Sequence, residues 1–269
     1  MSRIISIANQ KGGVGKTTTA VNLAAGLAAR GQKVLLVDLD QQRNATGSLQ
    51  TAEIETTLAE VLVGTRKDLK DIREAIYETH IVGLDIVPAS IRLALVDKQL
   101  SVGEQYRLKD SLNKLTEYDF IIVDCPPSLG ATLTQALLAS HYVLVPIAAE
   151  FYPLEGVADL DETIEETIRA NENLRVLGYL MTRFDVRNTI CKEALIKVKQ
   201  MKGDLVFDTP IHVNVKLQTA PAYKQSIYEY APEAKASEQY LLLTDEVLER
   251  LGSEDGGRLK LVARKEKVS

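Results

Sequence analysis

Residues 10–18 read Gln10-Lys11-Gly12-Gly13-Val14-Gly15-Lys16-Thr17-Thr18, and their flanks decide how the chain folds. Ahead stands Ile4-Ile5-Ser6-Ile7-Ala8, an apolar β-rich run that predicts a buried strand. Behind stands an Ala-rich stretch, 17–30, closed by Gly31, which predicts a helix with a glycine just past its end. A Gly-rich turn between a strand and a helix is the setting of a phosphate-binding loop. The glycines let successive backbone N–H groups curl toward one anion, and the dipole of the following helix favours the same anion. Lys16 is placed to reach β- and γ-phosphates, and Thr17 to offer its hydroxyl to Mg²⁺. Lys11, Gly12, Gly13, Val14, Gly15, Lys16, Thr17 and Thr18 form the candidate nucleotide-binding set, with ATP and Mg²⁺ as the expected cofactors.

The alternation continues outward from the loop. Residues 33–38, 84–88, 119–124, 142–147, 176–181 and 205–207 read as strands. Helices are expected over 106–115, 129–140, 157–170, 189–202 and 236–250. Strands and helices in alternation predict an α/β fold, a P-loop NTPase with a mostly parallel, twisted central sheet and helices on both faces. The unbroken apolar run Phe120-Ile121-Ile122-Val123 suits a strand covered on both sides. Residues 1–251 read as one domain. From Gly252 the character changes, and Arg258, Lys260, Arg264, Lys265 and Lys267 make 252–269 read as a basic, disordered tail.

Composition narrows the function classes. The chain has 269 residues, 45% apolar and 26% charged, enough for a full core without staples. Two cysteines, Cys125 and Cys191, without metal-ligand spacing or a leader-like N-terminus, suggest a reducing, cytoplasmic setting. No apolar run reaches the roughly 18 residues a membrane span needs. A net charge of −5 argues against a uniformly basic nucleic-acid coat, while leaving room for a basic face. No Cys/His cluster and no Ser/His/Asp arrangement offers chemistry on a second substrate.

Carboxylates stand where such a loop needs them. Val37-Asp38-Leu39-Asp40 ends the second expected strand, and ligands bind at strand C-terminal ends in open α/β sheets. Asp38 is expected near the metal and Asp40 beside the attacking water. Phe120 to Asp124 has the form of a Walker B strand, with Asp124 as a Mg²⁺ ligand. Thr17, Asp40 and Asp124 are the candidate metal set, and Lys11, Lys16 and Asp40 the candidate catalytic set. Cys125 reads as a small packed residue rather than a nucleophile.

The loop departs from the ordinary Walker A pattern, because Gln10 stands where the first glycine belongs and Lys11 follows it. Lys-Gly-Gly-Val-Gly-Lys-Thr-Thr resembles the deviant Walker A box of the ParA/MinD superfamily, and the chain is most similar to its ParA/Soj partition ATPases. Cys125-Pro126-Pro127-Ser128, the segment Glu150 to Gly156, and Asn214-Val215-Lys216-Leu217 with Ala220-Pro221 extend the resemblance over roughly residues 1 to 250. Gln41 replaces the family's usual proline after Asp40, implying a less rigid loop, and Lys216 replaces an arginine. The resemblance implies that Lys11 crosses a dimer interface to the partner's phosphates and that Asp40 serves hydrolysis. It implies an ATP-dependent homodimer that hydrolyses ATP slowly, binds DNA without reading sequence, and positions a plasmid, chromosome or protein body. A ParB-like or cargo-adaptor protein would stimulate it. The expected location is cytoplasmic and nucleoid-associated.

A DNA face has a candidate. Residues 175–224 carry nine Lys or Arg against four Asp or Glu, while the preceding helix is acidic. Arg187, Lys192, Lys199, Lys216 and Lys224 are the candidate phosphate contacts. With the first strand starting near residue 3, no operator-reading module is expected ahead of it. Two alternatives come from the same superfamily. A MinD-like membrane positioner would need a bulky apolar tail, and Leu259, Leu261 and Val262 are weak for that, so no stable membrane association is expected. An Fe–S carrier would need paired cysteines, which Cys125 and Cys191 are not.

Overall fold

A computed structural model describes residues 2–98, 102–150 and 157–265. Seven strands form one sheet: β1 (Arg3–Ile7), β2 (Val34–Asp38), β3 (Tyr77–Glu78), β4 (Leu84–Val87), β5 (Phe120–Asp124), β6 (Tyr142–Ala148) and β7 (Arg175–Thr182). Their order is β3-β4-β2-β5-β1-β6-β7, parallel except where β3 joins β4. The α-helices are α1 (Lys16–Ala29), α2 (Asn44–Gly47), α3 (Leu58–Leu62), α4 (Arg107–Leu112), α5 (Ala131–Ala139), α6 (Val157–Ala170), α7 (Thr189–Lys202), α8 (Val215–Thr219), α9 (Ile227–Tyr230) and α10 (Lys235–Lys265).

Alternating strand side chains feed two cores, one on each face of the sheet. Leu35, Val37, Ile121 and Val123 join Leu58, Leu108, Leu133 and Leu160 on one side. Val34, Leu36, Phe120 and Ile122 join Leu23, Leu27, Tyr240 and Val247 on the other. This is the doubly covered parallel sheet that the apolar strands predict. The register then matters for function. Parallel pairing sets Ile7 level with Asp124 and Asp124 level with Asp38, so three strand ends reach one edge together.

Helix α1 is held down by the C-terminal third of the chain. A Cβ at Gly26 would lie 2.7 Å from the Tyr228 hydroxyl, so glycine permits the close approach. Tyr228 donates to the Asn22 carbonyl at 3.0 Å, and the Ile227 amide donates to Asn22 Oδ1 at 2.8 Å. The hydroxyls of Thr19 and Tyr240 meet at 3.2 Å.

Two expectations need correction. Residues 205–207 do not form a strand: a 3₁₀ turn covers Gly203–Leu205, and Val206 makes one isolated bridge to Tyr179. The reason is Arg250, whose guanidinium donates to the carbonyls of Leu177 and Val206 at 3.0 Å each, covering the sheet edge that a longer pairing would use. Helix α10 also runs past residue 250 to Lys265, through the stretch read as a tail. Arg, Leu, Lys and Ala are good helix formers, and the two glycines at 256 and 257 do not end the helix. Beyond Glu150, the segment compared with the family's Glu-Tyr-Phe-Ala-Leu-Glu-Gly lies outside the described residues.

Gly178 in β7 faces this same edge. A Cβ there would meet the Leu205 carbonyl oxygen at 2.7 Å and the Arg250 guanidinium at 2.8 Å. Backbone cannot yield cheaply, so Gly178→Ala is expected to cost about 1–3 kcal/mol. Urea unfolding monitored by circular dichroism reads this directly. An unchanged midpoint would mean that the 203–208 segment does not pack as described.

Candidate nucleotide site

The loop between β1 and α1 reaches its shape through glycines at two left-handed positions, Gly13 at φ 74° and Gly15 at φ 86°. Gly15 is the N-cap of α1 and offers no capping side chain, so the first-turn N–H groups face outward. The loop is pinned from both sides of its curl. Thr182, at the end of β7, donates to the Val14 carbonyl at 2.8 Å. Asn9 donates to the Pro146 carbonyl at 2.7 Å and accepts the Lys11 amide at 2.9 Å.

Lys16 is buried, and its ammonium donates to the Lys11 carbonyl at 3.0 Å. Burial lowers its pKa, while Asp124, Cys125 and Asp40 act in the opposite direction. A cation with this little hydration is poised to exchange a loop carbonyl for phosphate oxygens. Lys11 is placed differently. Its ammonium sits 2.6 Å from Glu150, a partner that sequence spacing does not reveal.

The carboxylates separate into distinct roles. Asp38 is fully buried and fully engaged: the Thr46 amide and hydroxyl both donate to Oδ2 at 2.7 Å, and the Asp40 amide to Oδ1 at 3.1 Å. Burial pushes its pKa up to about 6, against those hydrogen bonds. Asp38, expected near the metal, stands level with Asp124 at the same sheet edge, but its hydrogen bonds are spent on holding the following turn. Asp40 is buried just beyond it. Its Oδ1 accepts the Gln42 amide at 2.9 Å, and its carbonyl accepts the Arg43 amide at 2.9 Å. These bonds hold the turn that a proline at position 41 would otherwise stiffen. Arg43 takes φ 62° to close it.

Asp124 is the exception among buried groups. It is 0% exposed, and neither carboxylate oxygen has a hydrogen-bond partner. Burial first, then the neighbouring Asp38 charge, raise its pKa well above the usual range. Thr17 works against that rise without reaching hydrogen-bond geometry. A buried carboxylate left unpaired costs free energy unless a cation completes it. Thr17, Asp40 and Asp124 therefore fit a magnesium ion by donor chemistry, with phosphate oxygens supplying the remaining ligands. Among the described residues, no group of three or more His, Cys, Asp and Glu is placed to hold a metal unaided.

Other sequence candidates sort plainly. Cys125 is 1% exposed and its thiol is pushed up to about 12 by burial, so it packs and does not attack. Cys191 is likewise buried, its thiol directed at the Ala149 carbonyl. Beside the loop lies a cavity of about 230 Å³, lined by Gly13, Gly15, Thr18, Thr182, Asn214 and Gln218 among others. Its far wall comes from residues 211–218, which the sequence marks only through the Asn-Val-Lys-Leu segment.

The basic residues divide into two groups. Lys192 and Lys199 lie on the outward face of α7, which buries Cys191, Ala194 and Val198. Lys199 is 3.9 Å from Asp208. Arg187 follows β7 and forks onto Asp185 at 3.1 and 3.0 Å. Lys216 on α8 and Lys224 after it are both exposed. Backbone bonds from Phe184 to Ile211 and from Val213 to Phe184 bring the Arg187 loop beside the segment leading to Lys216.

Without nucleotide and with magnesium chelated, Asp124→Asn is expected to raise unfolding free energy by about 1–3 kcal/mol, because it removes an uncompensated buried charge. With Mg-ATP the order should reverse, since only the native carboxylate completes the ion's shell. Thermal melts in the two buffers test this, and a metal-free variant less stable than wild type would refute it.

A family model described as an AAA domain matches residues 2–176. The sporulation initiation inhibitor protein Soj of Bacillus subtilis is 41% identical over 253 residues, covering 92% of this chain and 98% of its own. The chromosome partitioning protein ParA of Caulobacter vibrioides is 38% identical over 256 residues, covering 92% and 94%. Among solved structures, cobyrinic acid a,c-diamide synthase from Mycobacterium smegmatis with bound ADP and magnesium superposes with a TM-score of 0.81. It is 33% identical, with 94% of this chain and 97% of that one covered. Identity at this level, sustained over 92% of the chain, places it in the ParA/Soj family of P-loop ATPases.

Proposed function

We propose that this protein is an ATP-dependent switch that dimerises with ATP bound, associates with DNA without reading its sequence, and hydrolyses ATP slowly to segregate or position a cargo. The observation that carries this reading is the pairing of the Gly12–Gly15 curl and buried Lys16 with the unpartnered carboxylate of Asp124 at the same sheet edge. The partitioning proteins it resembles over nearly their full length support the cargo-moving task. The Mycobacterium smegmatis protein carries a synthase's name, but at lower identity than either relative, and the partition reading follows the stronger likeness.

The roles follow from charge and position. Backbone N–H groups of Gly12 to Thr18 and the start of α1 cradle the polyphosphate, and Lys16 neutralises its β- and γ-oxygens. Magnesium, held through Thr17, Asp40 and Asp124, would supply positive charge to the same oxygens. Asp40, on a hydrogen-bonded turn at the end of β2, orients the attacking water. Lys11 extends to the phosphates of a second protomer, which makes dimerisation depend on ATP and lets hydrolysis act as a timer. Arg187, Lys192, Lys199, Lys216 and Lys224 supply the DNA face, and a ParB-like or cargo-adaptor protein accelerates turnover. The site of action is the nucleoid. Among the described residues, no helix is long and apolar enough to cross a membrane.

Asp40→Ala is expected to bind ATP and remain dimeric, because only water positioning is lost, whereas Lys11→Ala should bind ATP and stay largely monomeric. Light scattering after gel filtration in Mg-ATP separates these outcomes. Normal hydrolysis by the Asp40 variant would remove its assigned role. The ATP-bound dimer should hold random-sequence DNA with a log–log salt slope of about −4 to −9, as expected for roughly five to ten phosphates engaged. Salt-independent binding, or preference for anionic vesicles over DNA, would overturn the nucleoid assignment.

A further inference from the structure

Arg183 stands out on two independent grounds. First, it holds φ 53°, a left-handed conformation that costs a residue with a Cβ and that glycine would accept freely. Strain of this kind persists where the surroundings require that side chain at that place. Second, the strained backbone aims the guanidinium back over the phosphate loop. Its Nη1 donates to the Gly13 carbonyl at 3.4 Å and lies 4.0 Å from Glu150. A Cβ at Gly13 would sit 3.8 Å from the same nitrogen. The residue before it, Thr182, is the one that pins the Val14 carbonyl, so the position of Arg183 is tied to the loop itself.

Glu150 is therefore a carboxylate shared by two cations, Lys11 at 2.6 Å and Arg183 at 4.0 Å. Both cations lie at the curl whose Lys11 carbonyl accepts the Lys16 ammonium. The Arg183 side chain is 59% exposed and also lines the cavity beside the loop, so it is free to swing between the Glu150 carboxylate and a ligand. A planar guanidinium matches phosphate oxygens better than it matches a single carbonyl at 3.4 Å.

We propose that Arg183 is a third cationic residue of the nucleotide site, contacting the polyphosphate from the same protomer, with Glu150 as the counter-charge that Lys11 and Arg183 leave when nucleotide arrives. This rests on the ATP-binding reading above. Loss of the guanidinium should weaken nucleotide binding without touching the fold, and loss of the carboxylate should strengthen it.

The test is titration of a fluorescent ATP analogue, with magnesium, into wild type, Arg183→Gly, Arg183→Lys, Glu150→Gln and Lys16→Ala. Arg183→Gly suits the left-handed backbone, so a melting temperature at or above that of wild type shows an intact fold. Its affinity should drop about tenfold, the scale of one exposed charge-assisted contact, with Arg183→Lys restoring part of the loss. Glu150→Gln should bind at least as tightly as wild type. Arg183→Gly binding within twofold of wild type, while Lys16→Ala does not bind, would overturn this inference alone. Failure of wild type to bind the analogue would overturn the ATPase reading and this inference with it. Tighter binding by Arg183→Gly would mean that the guanidinium competes for the site rather than serving it, which also refutes the proposal.

Discussion

A carboxylate buried without a hydrogen bond is the constraint on which the rest of this molecule turns. Asp124 ends a strand flanked on both sides by parallel neighbours in register, so its side chain has nowhere to reach water. Its neighbour Asp38 stands at the same level and faces the same desolvation. The protein resolves that one internally, by turning the chain at residues 40–47 so that Thr46 donates twice. It leaves the other unresolved. The second carboxylate is the one the proposed function assigns to magnesium, since a buried charge without donors is relieved by a ligand that brings positive charge.

The loop that supplies the rest of the site depends on the opposite half of the sheet. β1 lies between β5, which carries Asp124, and β6, whose Pro146 carbonyl holds Asn9. β7, one strand further, delivers Thr182 to the loop and Arg183 over it. Strand ends on both sides of β1 thus converge on one curl of nine residues, and α1 leaves it under the weight of α9 and α10. Ordering this curl costs conformational entropy, and here tertiary bonds formed in folding absorb that cost before nucleotide arrives.

The phosphate loop, the Walker B strand and the doubly covered sheet were legible because each rests on local chemistry. Glycines at a strand–helix junction, a run of four apolar residues ending in Asp, and helices closed by glycine are patterns within some ten residues. The two-residue strand β3 and the helices α2, α8 and α9 were not legible, because two strand residues or a single helical turn carry no usable period. The expected strand at 205–207 failed for a tertiary reason, since Arg250 from α10 covers the edge where it would have paired. Helix α10 outran its expected end because helix-forming residues continue after the glycines that seemed to stop it.

By itself, then, the sequence determined the residue types of the phosphate site, the alternation that builds the sheet and the family to which the chain belongs. These are matters of spacing along one segment, where backbone geometry translates directly into position. Tertiary structure alone decided that Asp38 is structural while Asp124 is not, that Lys11 rests on Glu150, and that Arg183 overlooks the loop. The last two depend on strand order, which brings together residues as far apart as the 139 positions between Lys11 and Glu150, while Asp38 is held by the fold of the turn that follows it. Two aspartates that look alike along the chain differ in their surroundings, because the turn after β2 brings donors to Asp38 and nothing brings them to Asp124.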